Sequence, residues 1–151
     1  MPSIEWLTDD EQRQWRAVLS VILLLPDQLG RDLVHSEDLS LADYEILVRL
    51  SESADQRMRM SELASASLSS RSRLSHQVGR MERAGLVRRE ECVNDRRGWL
   101  AVLTDAGLRR LEGAAPSHVD SVRRRLVDQL TADEFAELGR ICAKLGRCLQ
   151  A

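Results

Sequence analysis

Aromatic residues are nearly missing from this 151-residue chain: three Trp, one Tyr and one Phe make up 3% of it. A core must therefore be built mostly from Leu, Val, Ile and Ala. Lysine is rarer still, Lys144 being the single one, so positive charge is carried by arginine. Cysteine is limited to Cys92, Cys142 and Cys148, an odd number far from any disulfide framework, which agrees with a reducing compartment. No C-x-x-C or H-x-x-x-H spacing joins these thiols to His35, His76 or His118, so no metal and no cofactor is expected. Ser72, Ser75, His76 and Asp95 hold triad-type groups. Without a G-x-S-x-G elbow or a Gly-rich phosphate loop, however, an enzyme is not expected. Long hydrophobic runs are missing too. "AVLSVILLL" (Ala17–Leu25) is far short of the about 20 apolar residues that span a bilayer. Acidic residues precede it and no small-x-small cleavage site follows, so neither a membrane segment nor a signal peptide is expected, and the chain reads as cytoplasmic.

What is present is ordinary in amount and uneven in placement. Hydrophobic residues make up 43% and charged residues 30%, the balance of a soluble folded domain. The net charge of −2 argues against a general binder of polyanions. Its distribution argues the other way. Residues 57–100 carry ten Arg against five Asp or Glu, and the rest of the chain is acidic by a larger margin. A basic middle between acidic ends is a local electrostatic footprint.

Periodicity divides the chain into helices around one hairpin. "TDDE" at Thr8–Glu11 has the form of a capping box. After it Trp15, Val18, Ile22, Leu25 and Leu29 share one helical face to about Leu33, with Pro26 expected to kink or break it. Ser40 can cap a second helix carrying Leu47 and Leu50, and "RMSELASA" (Arg59–Ala66) a short third one. "SLSS" makes a turn, and a further helix follows until Gly85. "LVRREECV" (Leu86–Val93) and "WLAVLT" (Trp99–Thr104) are strand-like, with "NDRRG" (Asn94–Gly98) as the hairpin tip. A helix from "TDAGLRRL" continues past Pro116. A last one starts at a second capping box, "TADE" (Thr131–Glu134), and presents Phe135, Leu138, Ile141 or Cys142, Leu145 and Leu149 on one face. The apolar stripes of the terminal helices exceed what one small core needs, which predicts burial in a homodimer.

The stretch "SSRSRLSHQVGRMERAGLVRRE" (Ser69–Glu90) carries the chemistry. At 100° per residue, Leu74, Val78 and Met81 seat one face of the helix on the domain. Ser72, His76, Arg80 and Arg83 then point away, with Arg73 at the flank. Arginine makes bidentate bonds to phosphate and to the guanine O6/N7 edge. Serine and histidine reach phosphates or base edges, and a helix fits the DNA major groove. A short helix and a turn precede it, the helix-turn-helix arrangement. Arg96 and Arg97 at the hairpin tip suit the minor groove, with Asp95 orienting the Arg97 guanidinium. The residues expected on double-stranded DNA are thus Ser70, Arg71, Ser72, Arg73, Ser75, His76 and Arg80 on the helix, with Asp95, Arg96 and Arg97 on the hairpin.

"RMSELA", "SRSRLSHQVGRMERAGLVRRE", "NDRRGWLAVLTDAG" and "AAPSHVDSVR" together resemble the MarR family of bacterial transcriptional regulators, from about Thr8 to Leu149. The resemblance implies one domain over 1–151 that is mainly α with a small β-hairpin wing. It places a winged helix-turn-helix at about 40–103 and a dimerisation region in the terminal helices at about 8–34 and 104–149. It further implies a repressor released from a pseudo-palindromic operator by a small aromatic or phenolic effector. Trp15, His35 and Tyr44 are the candidates to line that effector's cleft. Two other expectations stand beside it: a non-specific architectural DNA-binding protein, and a redox-sensing regulator using Cys92.

Overall fold

The computed structural model describes residues 4–67, 69–92 and 95–150, apart from the side chains of Asp95, Arg96, Arg97 and Gln150. The fold is mainly helical with one small antiparallel sheet. In chain order, α1 (Asp9–Glu37), α2 (Leu41–Glu52), β1 (Arg57–Arg59), α3 (Met60–Ala66) and α4 (Arg71–Arg83) lead into the hairpin β2 (Val87–Cys92) and β3 (Asp95–Leu103). Helices α5 (Asp105–Arg125) and α6 (Ala132–Gln150) follow. Single 3-10 turns lie at Ala54–Gln56 and Val127–Gln129.

The helix ends follow local chemistry. In both capping boxes the threonine hydroxyl accepts from the glutamate backbone N–H at 3.3 Å, and the carboxylate accepts from the threonine N–H at 2.8 Å. Those hydrogen bonds hold Glu11 and Glu134 below the ordinary carboxylate value. Helix α1 differs from expectation in running through Pro26 to Glu37, four residues past Leu33. It stops where Asp38 adopts φ 50°, a left-handed conformation that Asp tolerates. Proline removes one i→i−4 bond, which the remaining turns of a 29-residue helix absorb. Pro116 lies inside α5 in the same way.

The sheet order is β1-β3-β2, both pairings antiparallel, with Met58 opposite Ala101 and Arg89 opposite Ala101. Strand β1 has no counterpart in the sequence expectations. The hairpin turn is also tighter than "NDRRG": Asp95 already pairs with Cys92, so residues 95–98 are strand, and Val93 and Asn94 lie outside the described residues.

The chain forms two compact units. One spans Asp32–Ser117, and the other draws on the chain up to Arg31 and from His118 onward. In the first, Leu33, Tyr44, Leu47, Leu50, Leu63, Leu74, Met81, Val87, Leu103 and Ala114 close one core. Gly107 of α5 lies against Leu86, between α4 and β2, and against Leu103 of β3. A Cβ there would lie 2.8 Å from Leu103 Cδ1 and collide with the Leu86 carbonyl, so the L-T-x-x-G pattern is a packing requirement. Thr104 completes the junction, donating its hydroxyl to Gly85 O at 2.7 Å and accepting from Gly107 N–H at 3.0 Å.

Candidate nucleic-acid interface

Helix α4 is built to show one side. Ser70 caps it, its hydroxyl accepting from Arg73 N–H at 3.2 Å. Gly85, at φ 74°, ends it. Leu86 N–H reaches Met81 O at 3.0 Å and Gly85 N–H reaches Glu82 O at 2.9 Å, the paired bonds of a Schellman motif. Leu74, Val78 and Met81 are at most 1% exposed. Burying each contributes roughly 1.5–3 kcal/mol. Arg71, Ser72, Arg73, Ser75 and His76 are all exposed, Ser72 and His76 on the side opposite the seat, as their spacing predicts.

Arg80 is exposed as well, but its guanidinium is engaged. It donates to Asp43 Oδ1 of α2 at 2.9 Å, an oxygen that also accepts from Gln77 Nε2 at 3.1 Å. Arg80 thus ties α4 to α2, and any use of it on a ligand competes with Asp43. The first turn of α4 breaks a rule that the other helices keep. Helices α1, α2, α3, α5 and α6 each have an acidic residue in their first turn; α4 has none and carries Arg71 and Arg73 there. Cations at the positive end of a helix are unfavourable unless an anion approaches.

On the wing, Asp95, Arg96 and Arg97 occupy the first three positions of β3, beside the turn. Their side chains lie outside the description, as does any contact between Asp95 and Arg97. Behind the wing, sequence reasoning missed a cleft of about 390 Å³ lined by Arg59, Met60, Ser61, Arg71, Ser75, Arg89, Gly98 and Trp99. Glu82 of α4 braces it. Its carboxylate accepts from the Arg89 backbone N–H at 2.9 Å and from Arg89 Nε at 2.9 Å, which keeps Glu82 below the ordinary carboxylate value. The legible signal was the pair "RMR" and "RRE". What could not be read was that β1 and β2 flank one strand.

The three effector candidates differ in placement. Tyr44 is 5% exposed in the core of the Asp32–Ser117 unit, where burial first and the Glu45 carboxylate second push its phenol up. Trp15, in the other unit, and His35 are exposed. Cys92 is buried in β2, while Cys142 and Cys148 are exposed on α6. Burial works against the redox-sensor expectation for Cys92, since an oxidisable thiol needs access. Among the described residues, no helix is long and apolar enough to cross a membrane.

Comparison with known proteins agrees with this geometry. The MarR family profile matches residues 39–98. AbsC, a MarR family transcriptional regulator from Streptomyces coelicolor, is 50% identical over 97% of this chain and 99% of its own, with a TM-score of 0.92. Sco3205, a MarR family transcriptional regulator from the same organism solved in complex with DNA, is 42% identical over 100% of this chain and 94% of its own, with a TM-score of 0.95. Sco5413, another Streptomyces coelicolor regulator of that family, shares the fold at 20% identity and a TM-score of 0.79 over 95% of this chain and 97% of its own. No curated protein sequence matches. With a buried-backed arginine helix, a wing beside it, and such identity over nearly its whole length, the chain belongs to the MarR family of DNA-binding transcriptional regulators.

Proposed function

We propose that the chain works as a homodimer that binds a pseudo-palindromic operator and represses transcription until a small aromatic or phenolic effector releases it. The observation that carries the DNA half is the exposed row of Arg71, Ser72, Arg73, Ser75 and His76 on a helix seated by Leu74, Val78 and Met81. That row enters the major groove, while Arg96 and Arg97, with Asp95 as orienting carboxylate, reach the minor groove. Ser70 supports phosphate contact at the helix start. Arg80 joins only by leaving Asp43. Support for a specific complex rather than architectural binding comes from the negative net charge and from the DNA-bound state of the relative Sco3205. A second copy is supported by the apolar residues left exposed on α1 and α6. We assign the helices at about 8–34 and 104–149 to dimerisation and about 40–103 to DNA binding.

The test is selection of bound duplexes from random DNA, followed by anisotropy titration of Arg97→Ala. Affinity should fall at least about tenfold, the loss of one good charged contact, with the dimer intact. Unchanged affinity removes the wing from the proposal. Addition of a panel of phenols and aromatic acids to the complex tests release, and Trp15→Ala and His35→Ala test whether those side chains receive the effector.

A further inference from the structure

Helix α4 carries Arg71, Arg73, Arg80 and Arg83, and among the described residues only Arg80 of these stands in an ion pair. Its partner comes from another element. Asp43 lies in the first turn of α2, and Ser40 caps that helix by accepting from the Asp43 N–H at 3.1 Å. Glu11 and Glu134 hold the same place after their threonine caps, and their carboxylates turn back to the cap. The Asp43 carboxylate crosses to α4 instead. Its Oδ1 accepts from Arg80 Nη2 at 2.9 Å and from Gln77 Nε2 at 3.1 Å, two side chains one turn apart on one flank of the helix. The Asp43 side chain is 15% exposed, against 60% for Arg80. The two ends of the pair therefore differ in what separation costs. Arg80 would turn to water, whereas Asp43 would be left as a mostly buried charge held by one amide, which is the costlier outcome. One more solvent-exposed ion contact, which is what a phosphate offers Arg80, gains less.

We propose that Asp43 is a positioning residue that keeps Arg80 off the duplex, so that this arginine of the recognition helix makes no phosphate contact. The proposal rests on the duplex-binding reading above and goes one step past it: Arg80 does not leave Asp43 when DNA arrives. The carboxylate thereby cancels one positive charge on each α4. Sequence-independent affinity grows with every phosphate that a protein neutralises. Asp43 thus sets a ceiling on that part of binding and leaves DNA contact to the arginines without a carboxylate, Arg71 and Arg73 among them. The negative net charge of the chain works in the same direction. Gln77 supplies the second bond that holds the carboxylate in place, which fixes the side toward which Arg80 is drawn.

The experiment is an anisotropy titration against salt of a selected duplex and of a random-sequence duplex. It compares wild type, Asp43→Asn, Asp43→Glu and the double variant Asp43→Asn with Arg80→Gln, each checked for folding by circular dichroism. Asp43→Asn keeps an acceptor for Gln77 and frees Arg80. It should steepen the slope of log affinity against log salt by about one per protomer and tighten the random duplex about tenfold at low salt. Asp43→Glu keeps the charge and should keep the wild-type slope. The double variant removes both charges and strands neither. It should return to the wild-type slope and random-duplex affinity, because a withheld arginine has no phosphate contact to lose, and it tests the proposal even where the single variant misfolds. A double variant whose slope is shallower than wild type by about one per protomer means that Arg80 holds a phosphate in the native complex, which overturns the proposal. A wild-type slope for folded Asp43→Asn overturns it too. So does a double variant as steep as Asp43→Asn, since the gained contact then belongs to another group. Failure of wild type to select any duplex would instead defeat the reading on which the proposal rests.

Discussion

The two compact units treat hydrophobic side chains in opposite ways. Every buried hydrophobic residue among those described lies between Leu33 and Ala114, inside the unit that carries α4 and the wing. The other unit has equally apolar helices and, among its described residues, buries no hydrophobic side chain. Val18, Val21, Ile22 and Leu24 of α1 are 49–58% exposed, and Phe135, Ile141 and Leu145 of α6 are 39–51% exposed. One region satisfies the hydrophobic effect within the chain, and the other leaves it unsatisfied. At roughly 1.5–3 kcal/mol per large side chain, so extended a stripe is stable in water only when something covers it. The comparison teaches that the reading head is complete in one chain, whereas the region that sets its partner is not. A second copy is the covering that this account assigns.

The largest effect should come from breaking that covering. Replacing Ile141 and Leu145 together by Arg should yield monomers in sedimentation and cut operator affinity by about 10²–10⁴-fold, the loss of two-site avidity, while leaving α4 folded. Dimers that persist would place the interface elsewhere. Next comes the complete unit itself. Leu74→Ala should destabilise it by about 2–5 kcal/mol in chemical denaturation, as a cavity under the recognition helix would. The same truncation at Leu145 should cost far less in the monomer, which sharpens the contrast between buried and uncovered faces.

How much of this was legible in the sequence differs by element. The seat of α4 was readable because Leu74, Val78 and Met81 repeat at the helical period and Gly85 marks the stop. Both threonine boxes were readable for the same local reason. Strand β1 was not: three residues of "RMR" carry too little pattern to register, and its partner Leu100–Val102 lies more than forty residues on. Because β1 was invisible, so was the cleft that Arg59 and Arg89 both line. The role of Arg80 was half legible. Its place on the outward face follows from spacing, but its ion pair with Asp43 depends on how α2 crosses α4, which no local rule gives. Pro26 misled because a proline's local cost is read from sequence while the rest of a long helix outweighs it.

Smaller effects refine the reading head. Arg73→Ala should shift base preference at one position of each half-site by about 1–3 kcal/mol, visible as a relaxed motif in repeated selection. A uniform loss across sequences would make Arg73 a phosphate contact instead. The smallest effect concerns acid. Glu82 is held below its ordinary value by Arg89, so its contribution is complete above the ordinary carboxylate range and is lost as pH falls through the lowered value. Glu82→Gln should flatten that acid limb in denaturation curves of the wing-bearing unit. An unchanged limb would mean that the brace contributes nothing to folding.

The most direct measurement of the central claim is the sequence motif recovered by selection from random duplexes together with the number of chains in the complex. Paired chains carrying two α4 helices predict two inverted half-sites with centres about 10–10.5 base pairs apart, bound by two chains. A single unrepeated site bound by one chain would contradict the account.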